Sequence, residues 1–598
     1  MDNVFYRRIE ALRSLMRENH WDIVILTGSD PHSTEYPAPR WQQVPWLTGF
    51  TGEAGDLVVT ADHAGLWTDT RYFIQAVRQL EGSGVQLHKM RVPEQVPIPQ
   101  WIASLGLDEP SIAVDGLCQS VQAIRDLQSA VPDAIIVSVP DLIDGLWTGR
   151  PAIPSSPVIT LGEDIVGRSR ESKLRWLRKW LVVQGADAIL ISSLDEIAWL
   201  LNVRGSDIEY NPLVISYLIV TLEEAFWFVR KDAFSAPDSE TSASFDELEA
   251  DGIRVRDYSD IDFALASLPA DGVDCIFLDP STLNISLFRT AGDNMKVIEG
   301  TSPIPLEKAV KTQVEADGMR EAHLEDGIVM EQFLYWLSRN AGKVTEWDAA
   351  CYLQSLRSGI PGYRGESFET ISAYGESAAI VHYSTPHEGS SLIEPRGLYL
   401  IDSGGQYLFG TTDITRTVPM GPCTALERED YTLVLKGHIA LAMAIFPRGT
   451  AGCQIDALAR EPLWQARRNF GHGTGHGIGF FLCVHEGPQD VRQNFNRQSL
   501  EPGMVLSDEP GIYREGMHGV RHENVLLVRQ VGDNEFGSWL GFETLTLCHF
   551  DTSCLDVSLL APAEREWLNN YNERVYNELS PRLPADVAEW LRGKTMPV

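Results

Sequence analysis

Two stretches of this 598-residue chain echo each other, and that repetition limits the available folds more than any other feature. Asp22-Ile23-Val24-Ile25-Leu26-Thr27 has a counterpart in Asp187-Ala188-Ile189-Leu190-Ile191-Ser192. Trp46-Leu47 and Gly52 recur as Trp199-Leu200 and Gly205, 153 residues later, and the run 56–60 returns as Tyr217-Leu218-Ile219-Val220-Thr221. Apolar runs of four or five residues have strand length, and helical segments separate them, so each copy predicts an α/β sheet. Phe5, Ile9, Leu12 and Met16 recur at helical spacing and predict a helix over 4–19. The duplication makes residues 1–152 and 153–306 two related α/β domains, joined through the Pro/Ser-rich stretch 150–157. A second boundary is expected at Thr301-Ser302-Pro303-Ile304-Pro305, followed by a long helix over about 313–340 that opens an α+β domain, 307–598.

Charge excludes several function classes. Asp and Glu number 83 against 49 Lys and Arg, a formal net charge of −34. A nucleic-acid binder needs a basic stripe to displace counterions, and an anionic membrane would repel this surface, so neither partner is expected. No apolar run approaches the roughly 20 residues of a membrane span; the longest, 213–222, reads as a buried strand. The N-terminus carries no basic stretch followed by an apolar one, so a cytoplasmic protein is expected. The eight cysteines form no CxxC pair and read as free thiols of a reducing compartment.

The chemistry concentrates late in the chain, where eight of the fourteen histidines lie between 382 and 522. Leu398-Tyr399-Leu400-Ile401-Asp402 is an apolar strand ending on an aspartate, and the chain returns through Gly410-Thr411-Thr412-Asp413. One turn between neighbouring strands lets Asp402 and Asp413 aim at one point. Gly471-His472-Gly473-Thr474-Gly475-His476-Gly477 surrounds its imidazoles with glycines, which lets the backbone approach something crowded. No Lys-Ser/Thr follows, so this is not a phosphate loop, and the His-Glu-x-x-His spacing of a zincin is absent. His485 follows in Val484-His485-Glu486-Gly487-Pro488. Glu509 ends another apolar strand before a Pro-Gly turn, and Glu523 heads the next.

Taken singly, each of these carboxylates reads as a turn former or strand cap. Gathered into one pocket, Asp402, Asp413, Glu509 and Glu523 could not all stay ionised without compensation. Two divalent cations would balance them. Four carboxylates and one imidazole, with no sulfur, favour Mn²⁺ or a similarly hard ion, with Co²⁺, Fe²⁺ or Zn²⁺ as alternatives.

In order and spacing these residues resemble the metal site of the pita-bread metallopeptidase superfamily of aminopeptidase P, prolidase and methionine aminopeptidase. Trp67-Thr68-Asp69-Thr70-Arg71-Tyr72-Phe73, Leu194-Asp195-Glu196-Ile197-Ala198-Trp199-Leu200, Arg204-Gly205-Ser206-Asp207 and Trp567-Leu568-Asn569-Asn570-Tyr571 are similar to its three-domain cytosolic Xaa-Pro aminopeptidase branch. The resemblance implies two creatinase-like α/β domains before a pita-bread catalytic domain. It implies that Asp402 chelates one metal, that Asp413 and Glu523 bridge both, and that His476 and Glu509 complete the second. His382, His472 and His485 fall on the family's supporting histidines, His382 or His485 serving the oxyanion, and Arg521 on the arginine that orients the carboxylates. The implied reaction removes the N-terminal residue from peptides with proline second, by attack of a hydroxide bridging the metals, with Glu509 shuttling the proton. A homodimer is implied by the resemblance alone. A prolidase restricted to Xaa-Pro dipeptides would share every ligand, and the extra α/β domain disfavours it.

Overall fold

The computed structural model describes residues 3–234 and 245–598. The chain divides into two compact units, Met1–Gly162 with Arg168–Ile304, and Glu163–Gly167 with Pro305–Val598.

The first unit holds two six-stranded sheets. Strands β1 (Ile23–Leu26), β2 (Asp56–Val59), β3 (Ala64–Thr68), β4 (Gln86–Lys89), β5 (Ser111–Val114) and β6 (Ile135–Ser138) lie in the order β4-β3-β2-β1-β5-β6. Strands β7 (Ala188–Ile191), β8 (Ser216–Thr221), β9 (Ala225–Val229), β10 (Ile253–Arg256), β11 (Cys275–Leu278) and β12 (Lys296–Glu299) lie in the order β10-β9-β8-β7-β11-β12. The topology is the same in both, as a duplicated sequence requires. Matching residues also do matching work. The Asp22 carboxylate accepts the Ser111 N–H at 2.8 Å, and Asp187 accepts the Cys275 N–H at 2.9 Å, so each satisfies the leading donor of the neighbouring parallel strand. The period drifts from 165 residues at these aspartates to 153 at Trp46 and Trp199, because the loop from β1 to the helix Gln43–Thr48 is longer than that from β7 to Leu194–Leu201. Val24 and Leu26 pack into one core and Ile23 and Ile25 into another, so β1 is buried on both faces and reads as an unbroken apolar run.

The two copies meet about a local twofold. Val121 N–H donates to Leu283 O at 3.1 Å and Ile285 N–H to Gln119 O at 2.9 Å. Gln122 N–H donates to Pro280 O and Ser286 N–H to Gly116 O in the same reciprocal manner. Each helix at this contact keeps its own cap, Ser120 for Val121–Ala130 and Asn284 for Ile285–Asn294.

In the second unit, after the short helix Ile304–Ala309, the expected long helix forms over Gln313–Asn340. Its capping box pairs the Thr312 hydroxyl with Glu315 N–H and the Glu315 carboxylate with Thr312 N–H. Asp326 on this helix receives the buried Arg357 guanidinium at 2.8 and 3.1 Å, and Arg357 also bonds Ser403 Oγ and Gly404 O. The end of the Asp402 strand is thereby fastened to the helix. Leu398–Ser403 lies centrally in a three-stranded sheet between Ile371–Tyr374 and Ile414–Pro419. A six-stranded sheet carries Gly475–Gly477 beside Val505–Asp508, which pairs with Asn524–Asn534. The hairpin Gly511–Arg514/His518–Arg521 stands apart as a two-stranded sheet.

The structure departs from the sequence expectation at two places. Asp402 and Asp413 are joined by more than one turn, since the strands Gly405–Tyr407 and Gly410–Thr411 intervene in another sheet. The run 213–222 is strand only over Ser216–Thr221; Leu213 to Ile215 are buried loop. Among the described residues no helix is long and apolar enough to cross a membrane.

Candidate active site

Antiparallel pairing brings the four carboxylates together. Asp402 faces Thr415 across the ladder, and Asp413 immediately precedes that strand. Gly404 is required between them, because a Cβ there would lie 2.1 Å from both Ser367 Oγ and the Thr412 carbonyl oxygen. Glu509-Pro510 and His522-Glu523 are the two-residue crossings where the chain leaves the six-stranded sheet for the hairpin and returns. Asp508 pairs with Asn524 on one side of them and Gly511 with Arg521 on the other, so Glu509 and Glu523 sit opposite each other. Glu509 N–H donates to Thr474 O at 2.7 Å and Glu523 N–H to Thr415 O at 3.1 Å, which locks these crossings against the strands of His476 and Asp413. A Cβ on Gly475 would fall 2.0 Å from Ser507 O, and one on Gly477 2.1 Å from Glu486 O. His476 therefore sits where only glycine neighbours admit two adjoining strands.

The cage has more acceptors than donors. His476 Nδ1 lies 3.0 Å from Gly477 O, and a carbonyl only accepts, so Nδ1 carries the hydrogen. The lone pair on Nε2 then faces Asp413 Oδ2 and Glu509 Oε1, each 3.5 Å away. Burial, followed by His485, pulls the His476 pKa far down, so the imidazole stays neutral. Asp413, His476 and Glu523 offer ligand atoms within 4.8 Å of one another. Asp402 Oδ1 and Glu523 Oε1 are buried without a hydrogen-bond partner. Burial and then mutual repulsion push Asp413 and Glu509 well above the carboxylate range and Glu523 to about 8. Acceptor atoms crowded at that spacing, some without any donor, fit divalent cations and no internal partner.

One charged side chain enters from the protein. Arg521 is buried, donates through Nε and Nη2 to Asp402 Oδ2, and through Nε to Thr415 Oγ1 at 3.2 Å. Thr415 Oγ1 in turn donates to Glu523 Oε2 at 2.8 Å. Arg521 Nη1 donates to the Tyr513 hydroxyl at 2.8 Å, and that hydroxyl donates to His472 Nε2, also at 2.8 Å. His472 Nδ1 closes the chain on Gly473 O. Burial pushes the Tyr513 phenol up to about 12 and His472 down to about 3, so neither changes protonation near neutrality.

His485 stands edge-on to His476, ring centroids 4.4 Å apart at 83°. His382 lies within electrostatic range of His472. His522, next to Glu523, packs edge-on against Tyr431 and Phe550 and is held neutral by burial. Every site residue expected from sequence thus falls in or beside one cluster. Thr415, Tyr513, Lys308 and Lys311 were not anticipated. Lys308 and Lys311 clamp the buried Glu486, directly after His485, at 2.8 and 2.5 Å. Period-two alternation was the available signal for Thr415, two residues beyond Asp413 and opposite Asp402 in the ladder.

The model of metallopeptidase family M24 matches residues 317–530 and that of its C-terminal region 538–598. The creatinase/prolidase N-terminal domain matches twice, over 8–146 and 149–315. Aminopeptidase P1 of Arabidopsis thaliana is 36% identical and a probable Xaa-Pro aminopeptidase P of Verticillium alfalfae 39% identical, each alignment covering 99% of both chains. The crystal structure of X-prolyl aminopeptidase from Caenorhabditis elegans, described as a cytosolic enzyme with a di-nuclear active site, superposes with a TM-score of 0.94 over 100% of both chains at 33% identity. The repeated α/β sheets, the carboxylate–imidazole cage and these matches agree: the chain belongs to metallopeptidase family M24, with two creatinase-type N-terminal α/β domains and a pita-bread catalytic domain.

Proposed function

We infer that the chain is an Xaa-Pro aminopeptidase, removing the N-terminal residue from peptides whose second residue is proline. The observation that carries this reading is the cage itself: neutral His476 turns the lone pair of Nε2 to Asp413 Oδ2 and Glu509 Oε1, each 3.5 Å away, beside Asp402 Oδ1 and Glu523 Oε1, which are buried without a hydrogen-bond partner. Asp402, Asp413, His476, Glu509 and Glu523 would hold two divalent cations, Mn²⁺ by the predominance of oxygen ligands. Such a pair would supply an acidified water near neutral pH and a Lewis acid for the scissile carbonyl.

The chain's own groups do the rest. Among the cage acids Glu509 has the most open side chain, 20% exposed against 5% for Asp413 and 10% for Asp402. It is the one placed to take the proton of the attacking water and pass it to the departing proline nitrogen, which leaves only when protonated. His485 or His382 donates to the carbonyl oxygen as charge develops there. Arg521 and His472 are positioning residues: Arg521 fixes Asp402, and His472 holds Tyr513 against Arg521. An Xaa-Pro bond lacks the N–H that other peptidases grip, which explains a dedicated enzyme.

The same reading treats 1–152, 153–306 and 307–598 as successive domains. It makes the enzyme cytoplasmic, as the C. elegans relative is described, and homodimeric on the family resemblance. The test is hydrolysis of Xaa-Pro-Yaa, Xaa-Pro and Xaa-Ala-Yaa by metal-stripped protein during stepwise addition of Mn²⁺. The reading predicts tripeptide cleavage that saturates near two equivalents. Equal cleavage of Xaa-Ala-Yaa would remove the proline specificity, and preference for the dipeptide would favour a prolidase.

A further inference from the structure

Cys423 immediately precedes Thr424, the N-cap of the helix Ala425–Ala442, and Cys554 closes the short turn Thr552–Cys554. Four hydrogen bonds lace these segments together. Arg428 donates to the carbonyls on either side of Cys554, Ser553 O at 3.3 Å and Leu555 O at 2.6 Å. Tyr431 Oη donates to Asp551 O at 2.7 Å, and Asp556 N–H donates to Thr432 Oγ1 at 2.9 Å. Cys554 is thereby held against the start of the helix, inside the core on which Cys423 packs. Cys423 and Cys554 act on each other electrostatically, and the Cys423 thiol donates to Gly421 O at 3.5 Å and to Gly397 O at 3.7 Å. Cys423 is half-buried and Cys554 fully buried.

We propose that Cys423 and Cys554 are a reversible dithiol–disulfide pair, with Cys423 the attacking thiol and Cys554 the resolving one, oxidised by a low-molecular-weight disulfide. The asymmetry of the two sites suits those roles. Cys423 is the one a soluble disulfide can reach, since Cys554 is buried, and their interaction, helped by Arg428, lowers the Cys423 pKa while the same interaction and burial raise that of Cys554. In the first step the Cys423 thiolate attacks one sulfur of glutathione disulfide, forming a mixed disulfide and expelling one glutathione thiolate. In the second, Cys554 gives up its proton and its sulfur attacks Cys423 Sγ, breaking the mixed disulfide and expelling the second glutathione. Two cysteine sulfurs are oxidised, one disulfide is reduced to two thiols, and the two cysteine protons end on the two glutathiones. The bridge would close the segment that carries His476, Glu509 and Glu523.

The test incubates the full-length protein with glutathione at graded ratios of disulfide to thiol, followed by acid quenching and peptide mapping without reduction. The exposed Cys351 serves as internal proof that the oxidant is active. A Cys423–Cys554 linked peptide, lost on adding dithiothreitol, is expected in the wild type. Cys554→Ser or Cys554→Ala should trap glutathione on Cys423, while Cys423→Ser should leave Cys554 unmodified. A stable glutathione adduct on wild-type Cys423, or both thiols still reduced while Cys351 is modified, would overturn the proposal.

Discussion

Tyr513→Phe removes a single oxygen from the wall of the cage and leaves every proposed metal ligand in place. That oxygen accepts from Arg521 Nη1 and donates to His472 Nε2, both at 2.8 Å, while the ring that stands against His472 is kept. The lost bond to a buried guanidinium is worth about 1.5–3 kcal/mol and the neutral bond to imidazole about 0.5–1.5 kcal/mol. The first quantity bears on the hold of Arg521 on Asp402, so kcat/KM for an Xaa-Pro-Yaa tripeptide should fall about 10- to 100-fold. The second should appear as a loss of unfolding free energy in urea. Metal stoichiometry should not change. With the phenol pushed up to about 12 and His472 down to about 3, both groups keep one protonation state through the working range. The ratio of variant to wild-type kcat/KM should therefore be constant between about pH 5 and 9. A ratio within about twofold of unity, or one that varies across that range, would refute the reasoning.

Three further outcomes are expected. His476→Ala removes the only nitrogen ligand and should weaken binding of one cation more than about 100-fold, read by metal titration. Gly475→Ala forces a Cβ to 2.0 Å from Ser507 O, so it should lower both activity and the urea midpoint, whereas Gly145→Ala, with nothing within 4 Å, should leave both unchanged. In metal-stripped protein the Glu523 pKa is raised from the ordinary glutamate value to about 8, so its protonated form is the stable one. The stabilisation it gives is complete below about pH 4.3 and is lost as pH rises through about 8, so the urea midpoint of stripped protein should fall over that interval and recover on adding Mn²⁺.

Much of the fold was legible because its elements obey local rules. The doubled sheet was visible in runs such as 22–27, where alternate residues feed two cores, and 187–192, where Ala188 to Ile191 are all buried. The helix over 4–19 was visible in a stripe that buries Ile9, Leu12 and Met16. The five side chains proposed as ligands could be picked out because each stands at a strand end or between glycines. The path between Asp402 and Asp413 was not, since nothing in Gly404-Gly405-Gln406-Tyr407 signals that a strand there joins a different sheet. Nor was the relay from Arg521 through Tyr513 to His472, because its last step alone crosses 41 residues and depends on how the hairpin folds back. The lysines that clamp Glu486 stand about 175 residues before it in sequence, and only tertiary packing pairs them.

The central claim is that folding gathers four carboxylates and one imidazole around a pair of cations. Anomalous diffraction from crystals soaked in Mn²⁺, collected at the manganese edge, tests it most directly. The account predicts two peaks roughly 3.5–4 Å apart, enclosed by Asp402, Asp413, His476, Glu509 and Glu523. Manganese bound elsewhere, with no peak among those five side chains, would contradict it.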